Sequence, residues 1–102
     1  MKKKVNSLIQ VKKVLSQERK ILTSYGISKI GVFGSFAYGD FNPKSDVDVL
    51  INLSNNSKLS LLDLIEIEND LSTKLGRKVD LVTQNGLRPY IKESILKSTV
   101  YV

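Results

Sequence analysis

Apolar positions recur at spacings of three and four between Val5 and Tyr25: Leu8, Val11, Leu15, Ile21, Leu22 and Tyr25. That is the period of one helix face. Asn6 or Ser7 is placed to cap its start, Gly26 to end it in the left-handed conformation, and Lys12, Lys13 and Lys20 fall toward water. The pattern then shortens. Ile27 to Phe33 is rich in β-forming bulk and is broken by Gly34. Ser35 to Tyr38 reads as a short helical turn stopped by Gly39, and Asp40 to Lys44, with Asn42-Pro43, as a loop. Ser45 to Leu53 is a second strand, followed by the polar Ser54-Asn55-Asn56-Ser57. Ser60-Leu61-Leu62-Asp63 has the form of a capping box with Asp in place of the usual Glu. The helix it opens carries Leu61, Leu64, Ile65, Glu68, Leu71 and Leu75 on one side and closes at Gly76. Lys78 to Thr83 is a third strand and Gln84-Asn85-Gly86 a turn. Pro89 suits the first turn of a last helix, with Ile91, Ile95 and Leu96 facing inward. Val100-Tyr101-Val102 reads as a final short strand. The order helix, strand, strand, helix, strand, helix predicts an α/β (α+β) fold, one domain over residues 1–102 with a small mixed β-sheet flanked by helices.

Composition narrows the chemistry more than the fold. At 102 residues, with 41% hydrophobic and 25% charged side chains, the chain is ordinary for a globular domain. It has no cysteine and no histidine. That excludes a disulfide framework, a thiol nucleophile, a zinc finger and a histidine base, so any catalysis rests on carboxylates, bound metal, lysine or hydroxyls. No stretch approaches the roughly 20 apolar residues of a membrane span. Lys2-Lys3-Lys4 leads into a segment interrupted by Asn6, Gln10, Lys12 and Lys13, which is no signal-peptide core. The expectation is a cytoplasmic protein with no membrane association. The net charge of +6 is carried mainly by lysines scattered along the chain, without an aromatic stripe. It reads first as a solvated surface, with nucleic acid a disfavoured alternative partner.

Chemistry concentrates between Gly34 and Ile51. Gly34-Ser35 follows an apolar run directly, and ten residues separate Ser35 from Asp46-Val47-Asp48, which opens the next apolar run. Strand alternation projects Asp46 and Asp48 to the same side. A glycine lets a phosphate approach the backbone, and a serine opening a helical turn offers N–H groups and a hydroxyl to an anion. The plainer reading of the same pair is a strand end with an ordinary serine cap. A carboxylate inside Val47-Asp48-Val49-Leu50-Ile51 is costly to bury without a partner or a metal, unless the strand is an edge with one face in water. Asp80, between Val79 and Leu81, poses the same problem. Beside Asp48 it completes a three-carboxylate cluster that demands cations, and hard Mg²⁺ suits carboxylates combined with phosphates.

The pattern Gly34-Ser35, Asp46-x-Asp48 and a strand-borne Asp80 resembles the minimal nucleotidyltransferase family of the DNA polymerase β superfamily, over most of the chain from Ile30 to the tail. The resemblance implies the nucleotidyltransferase fold, with the carboxylate-bearing strands side by side. It implies that Asp46 and Asp48 bind two Mg²⁺ ions, with Mn²⁺ as the alternative, and that Asp80 completes the metal site and takes the proton of the attacking hydroxyl. Gly34 and Ser35 would hold the β and γ phosphates of ATP, and AMP would pass to an acceptor hydroxyl. Many members carry arginine just before the second glycine, where this chain has Tyr38; Lys44, Arg77 or Lys78 are the candidates to replace that cation. A chain of this length leaves no room for an acceptor-binding domain, which implies self-association or a partner. For this family the resemblance implies a HEPN-domain toxin as AMP acceptor and this chain as its antitoxin. The competing expectations are a binding module that neutralises its partner by contact alone, and an enzyme that modifies nucleic-acid ends.

Overall fold

A computed structural model of the protein describes residues 5–55 and 57–102. The first helix, α1, runs Leu8–Ser24, and Ser7 is its cap: the Ser7 hydroxyl accepts from the Gln10 N–H. Gly26 follows its end at φ +88°, the left-handed position expected there. β1 (Ile27–Phe33) leads into α2 (Ser35–Tyr38), and β2 is Val47–Leu53. α3 (Leu61–Leu75) opens with a full capping box, in which the Ser60 hydroxyl accepts from the Asp63 N–H and the Asp63 carboxylate accepts from the Ser60 N–H. It closes at Gly76, at φ +69°. β3 (Val79–Thr83), a 3₁₀ turn (Gln84–Gly86), α4 (Pro89–Ser98, with proline in its first turn) and β4 (Val100–Tyr101) complete the chain.

The four strands form one mixed sheet in the order β3-β2-β1-β4. β1 is antiparallel to β2 and β4, and β2 is parallel to β3. Period-two alternation sorts the side chains. Val47, Val49 and Ile51 of β2 share a face with Ile30 and Val32 of β1 and Val79 of β3, and onto it pack Val11, Leu15 and Leu22 of α1 and Ile67, Leu71 and Leu75 of α3. Each such side chain contributes about 1.5–3 kcal/mol by leaving water, so this face holds the molecule together. The opposite face carries Asp48 and Asp80.

α3 also covers the outer edge of β3. The Val79 N–H donates to the Ser72 hydroxyl and the Leu81 N–H to the Glu68 carboxylate, each at 2.9 Å. These are the strand's outward amides, and side chains from α3 meet them in place of a fifth strand. Glu68 lies on the inner side of α3, as its spacing predicts, because it has this edge to cap.

The apolar stripes differ from expectation at several positions. Ile21, Tyr25, Leu61, Ile65 and Ile91 are exposed rather than inward-facing. At about 100° per residue, Ile21 is displaced roughly 120° around the helix from Leu15, and Ile65 likewise from Leu71. Ile67 takes the inward place on α3 instead. On α4 no residue is fully buried; Ile95 and Leu96 are half-buried. No described helix is long and apolar enough to cross a membrane.

Candidate active site

The site is assembled by strand register. Asp48 is paired with Phe33 of β1 on one side and with Asp80 of β3 on the other. In a parallel ladder, residues in register project to the same face, so Asp48 and Asp80 stand side by side on the face opposite the core. Asp46, one residue ahead of β2, is near enough for its charge to act on Asp48. Because β2 is flanked by β1 and β3, the edge-strand explanation for Asp48 does not hold.

Gly34 ends β1 directly beside this row. Its backbone lies at φ +71°, ψ −149°, a region essentially reserved for glycine. A Cβ at this position would stand 2.2 Å from Asp48 Oδ2. Gly34 is therefore required twice, by its dihedrals and by the carboxylate that fills the space a side chain would need. It also serves as the N-cap of α2 without a side-chain bond. Ser35 is the first residue of that helical turn, so its hydroxyl is not the cap; among the described residues it meets no hydrogen-bond partner. Its carbonyl accepts from the N–H groups of Gly39 and Asp40, closing the turn.

Burial pushes the Asp48 carboxyl above the ordinary aspartate value, and the charges of Asp80 and then Asp46 push it the same way. Among the described residues no hydrogen-bond donor or cation meets any of the three carboxylates. The expected three-carboxylate metal cluster is not formed: no three acidic side chains among those residues come together closely enough to hold one metal ion, and the carboxylates lie in an open arrangement beside the Gly34-Ser35 turn. That donor set fits Mg²⁺, which is held by one or two carboxylates together with substrate phosphates and water.

The candidate cations fall into different classes. Lys44 is exposed in the loop ahead of Asp46, with its backbone N–H on Asn42 Oδ1. Lys78 is exposed, and its carbonyl accepts from the Val47 N–H at 2.9 Å. Tyr38, in the place of the common arginine, is 69% exposed. Arg77 is no phosphate ligand: it is buried, and its guanidinium is committed to backbone carbonyls. The local sequence shows neither this role nor the stack of Phe36 on Phe41, whose rings lie parallel with their centres 4.3 Å apart. Nothing in the local run Gly76-Arg77-Lys78 separates a buried arginine from a solvated one.

Residues 8–102 match the family model described as the nucleotidyltransferase domain. The chain belongs to this family and is a nucleotidyltransferase. It is 41% identical over 100 residues to a Methanocaldococcus jannaschii protein provisionally named a protein adenylyltransferase, covering 96% of this chain and 100% of that protein. It is 37% identical over 97 residues to protein adenylyltransferase MntA of Thermococcus cleftensis, covering 94% and 96% of the two chains. Among solved structures, one provisionally assigned as a minimal nucleotidyltransferase superposes with a TM-score of 0.79 at 27% identity, over 93% of this chain and 95% of the other. A complex of a tri-AMPylated Shewanella oneidensis HEPN toxin with its MNT antitoxin superposes with a TM-score of 0.65 over 89% of this chain and 70% of that one. At 17% identity that last likeness is one of fold.

Proposed function

We propose that this nucleotidyltransferase moves AMP from ATP to a hydroxyl of a HEPN-domain partner protein, with Mg²⁺, as the antitoxin of a toxin–antitoxin pair. The single observation that carries the chemistry is the register Asp48↔Asp80 beside Gly34, which sets carboxylates next to a turn suited to phosphate. The names of the relatives carry the substrate class, and the fold shared with the antitoxin of the HEPN complex supports the partner class.

In this reading Asp46 and Asp48 hold the cations, and Gly34 and Ser35 hold the β and γ phosphates through backbone N–H groups and the free Ser35 hydroxyl. Lys44, exposed in the loop ahead of Asp46, supplies the positive charge that Tyr38 does not. Asp80 orients the acceptor hydroxyl and accepts its proton. The bond formed joins the acceptor oxygen to the α phosphorus; the bond broken is that to the α–β bridging oxygen, and pyrophosphate leaves. When bound, Mg²⁺ makes the acceptor oxygen a better nucleophile and offsets the charge of the triphosphate.

The test uses ATP labelled on the α or the γ phosphate, incubated with the protein and a candidate HEPN-domain partner from the same organism. AMP transfer puts only the α label on the partner. Label from the γ position, or none while the partner is still bound and silenced, would rule the proposal out.

A further inference from the structure

Arg77 is 6% exposed, and no carboxylate among the described residues pairs with it. A buried guanidinium ordinarily requires an acidic partner or a full set of acceptors. Here backbone oxygen supplies most of the set. Arg77 Nε donates to the Val5 carbonyl at 2.7 Å, and Nη1 donates to the carbonyls of both Asn42 and Ser45 at 2.9 Å. Nη2 donates to Asn6 Oδ1 at 3.3 Å. The guanidinium carbon also lies 4.9 Å from the centre of the Phe36 ring, a cation–π contact on the helical turn that follows Gly34.

The two carbonyls on Nη1 are the ends of one turn. The Ser45 N–H donates to the Asn42 carbonyl at 3.0 Å. The Asn42 N–H donates to the Ser45 hydroxyl and the Lys44 N–H to Asn42 Oδ1, both at 2.8 Å. Residues 42–45 therefore form a closed unit, gripped at both ends by Arg77. The next residue is Asp46, and beyond it the Val47 N–H is held by the carbonyl of Lys78 at 2.9 Å. Asp46 is thus bracketed: Arg77 fixes the carbonyl before it, and Lys78 fixes the amide after it. Both anchors belong to the segment that leads into β3 and Asp80.

We infer that Arg77 is a positioning residue for the carboxylate row: by clamping the 42–45 turn it sets where Asp46 stands relative to Asp48 and Asp80, and so sets the affinity of the site for divalent cations. The inference rests on the proposed reading in which Asp46 and Asp48 hold the cations. Arginine suits the task because a planar fork can hold two carbonyls at once, which a lysine ammonium on a flexible stem does not reproduce. Groups that orient metal ligands from behind typically change metal affinity by about 10–100-fold when replaced.

The experiment titrates Mn²⁺ into the purified full-length chain without nucleotide and follows the free-ion signal by electron paramagnetic resonance, below the melting temperature of each variant. The chains compared are wild type, Arg77→Lys, Arg77→Met, Asp46→Asn and the double variant Asp46→Asn with Arg77→Lys. Arg77→Lys should weaken Mn²⁺ binding about 10-fold or more. The same change made on top of Asp46→Asn should cost little further, because the two act through one carboxylate. Arg77→Lys and Arg77→Met chains that melt earlier yet bind Mn²⁺ as wild type does would reduce Arg77 to a structural tie. Losses that add in full across the double variant would do the same. Should Arg77→Met not fold, Arg77→Lys decides alone. A wild type that binds no Mn²⁺ without nucleotide overturns this inference, and the same titration with a non-hydrolysable ATP analogue then shows whether the proposed cation site fails with it; wild-type binding with indifferent variants removes only the inference.

Discussion

Replacing Gly34 by alanine separates the demands of folding from those of the site. The backbone at φ +71°, ψ −149° costs a residue with a side chain about 1–3 kcal/mol. The new methyl would stand 2.2 Å from Asp48 Oδ2 and 3.1 Å from its Cγ. The obstructing atoms are the end of a short side chain, so the cheapest response is for the Asp48 carboxylate to swing away by about 1 Å, while the fold survives. A loss of about 2 kcal/mol in a chain of this size lowers the melting temperature by roughly 8–16 °C. A displacement of about 1 Å in a group that positions the reacting atoms costs about 100-fold in rate. Thermal unfolding by circular dichroism and single-turnover AMP transfer at a temperature where the variant is fully folded give the two numbers. Gly34→Ala with near-native stability, or with stability lost and transfer at the wild-type rate, would refute the claim that this glycine exists to make room for Asp48.

Two further outcomes follow from the electrostatics and the sheet edge. Since Asp48 titrates above the ordinary aspartate value of 3.8, the folded protein keeps a proton there at pH values where the unfolded chain has lost it. Its penalty is absent below that value and fully present above the raised one, so metal-free protein loses stability as pH climbs through that window. Asp48→Asn, or saturating Mg²⁺, should flatten the loss in pH-dependent denaturant melts; an unchanged slope in both would contradict the assignment. At the outer edge of β3, Glu68→Ala leaves the Leu81 N–H without its acceptor and should cost about 1–3 kcal/mol in urea unfolding. Glu68→Gln keeps an acceptor oxygen and should cost much less; equal losses would show that the side-chain acceptor oxygen is not what matters.

Much of the architecture is legible because it is local. Ser60 and Asp63 announce a capping box whose two bonds lie three residues apart, and Gly76 marks a helix end that any short window reveals. Asp46, Asp48 and Asp80 stand out because a carboxylate in an apolar strand has few structural reasons to be there. The rest depends on long-range pairing. That Gly34 must lack a side chain follows from the register Phe33↔Asp48, which no strand pattern states. The backbone acceptors of Arg77 lie 72, 35 and 32 residues away along the chain, so its role is invisible in a run that reads as surface charge. On α1 and α3, counting apolar residues at rough spacing placed Ile21 and Ile65 inside, where the accumulated rotation of the helix carries them out.

The most direct measurement is the intact mass of the proposed HEPN-domain partner after incubation with ATP, Mg²⁺ and either the wild-type chain or its Asp46→Ala/Asp48→Ala variant. Partner molecules heavier by one or more AMP units are expected with the wild type, and an unmodified partner with the variant, although the variant still binds it. AMP on the partner in both reactions would take the chemistry away from these aspartates, and an unmodified partner that is nonetheless silenced by both would leave binding alone as the function.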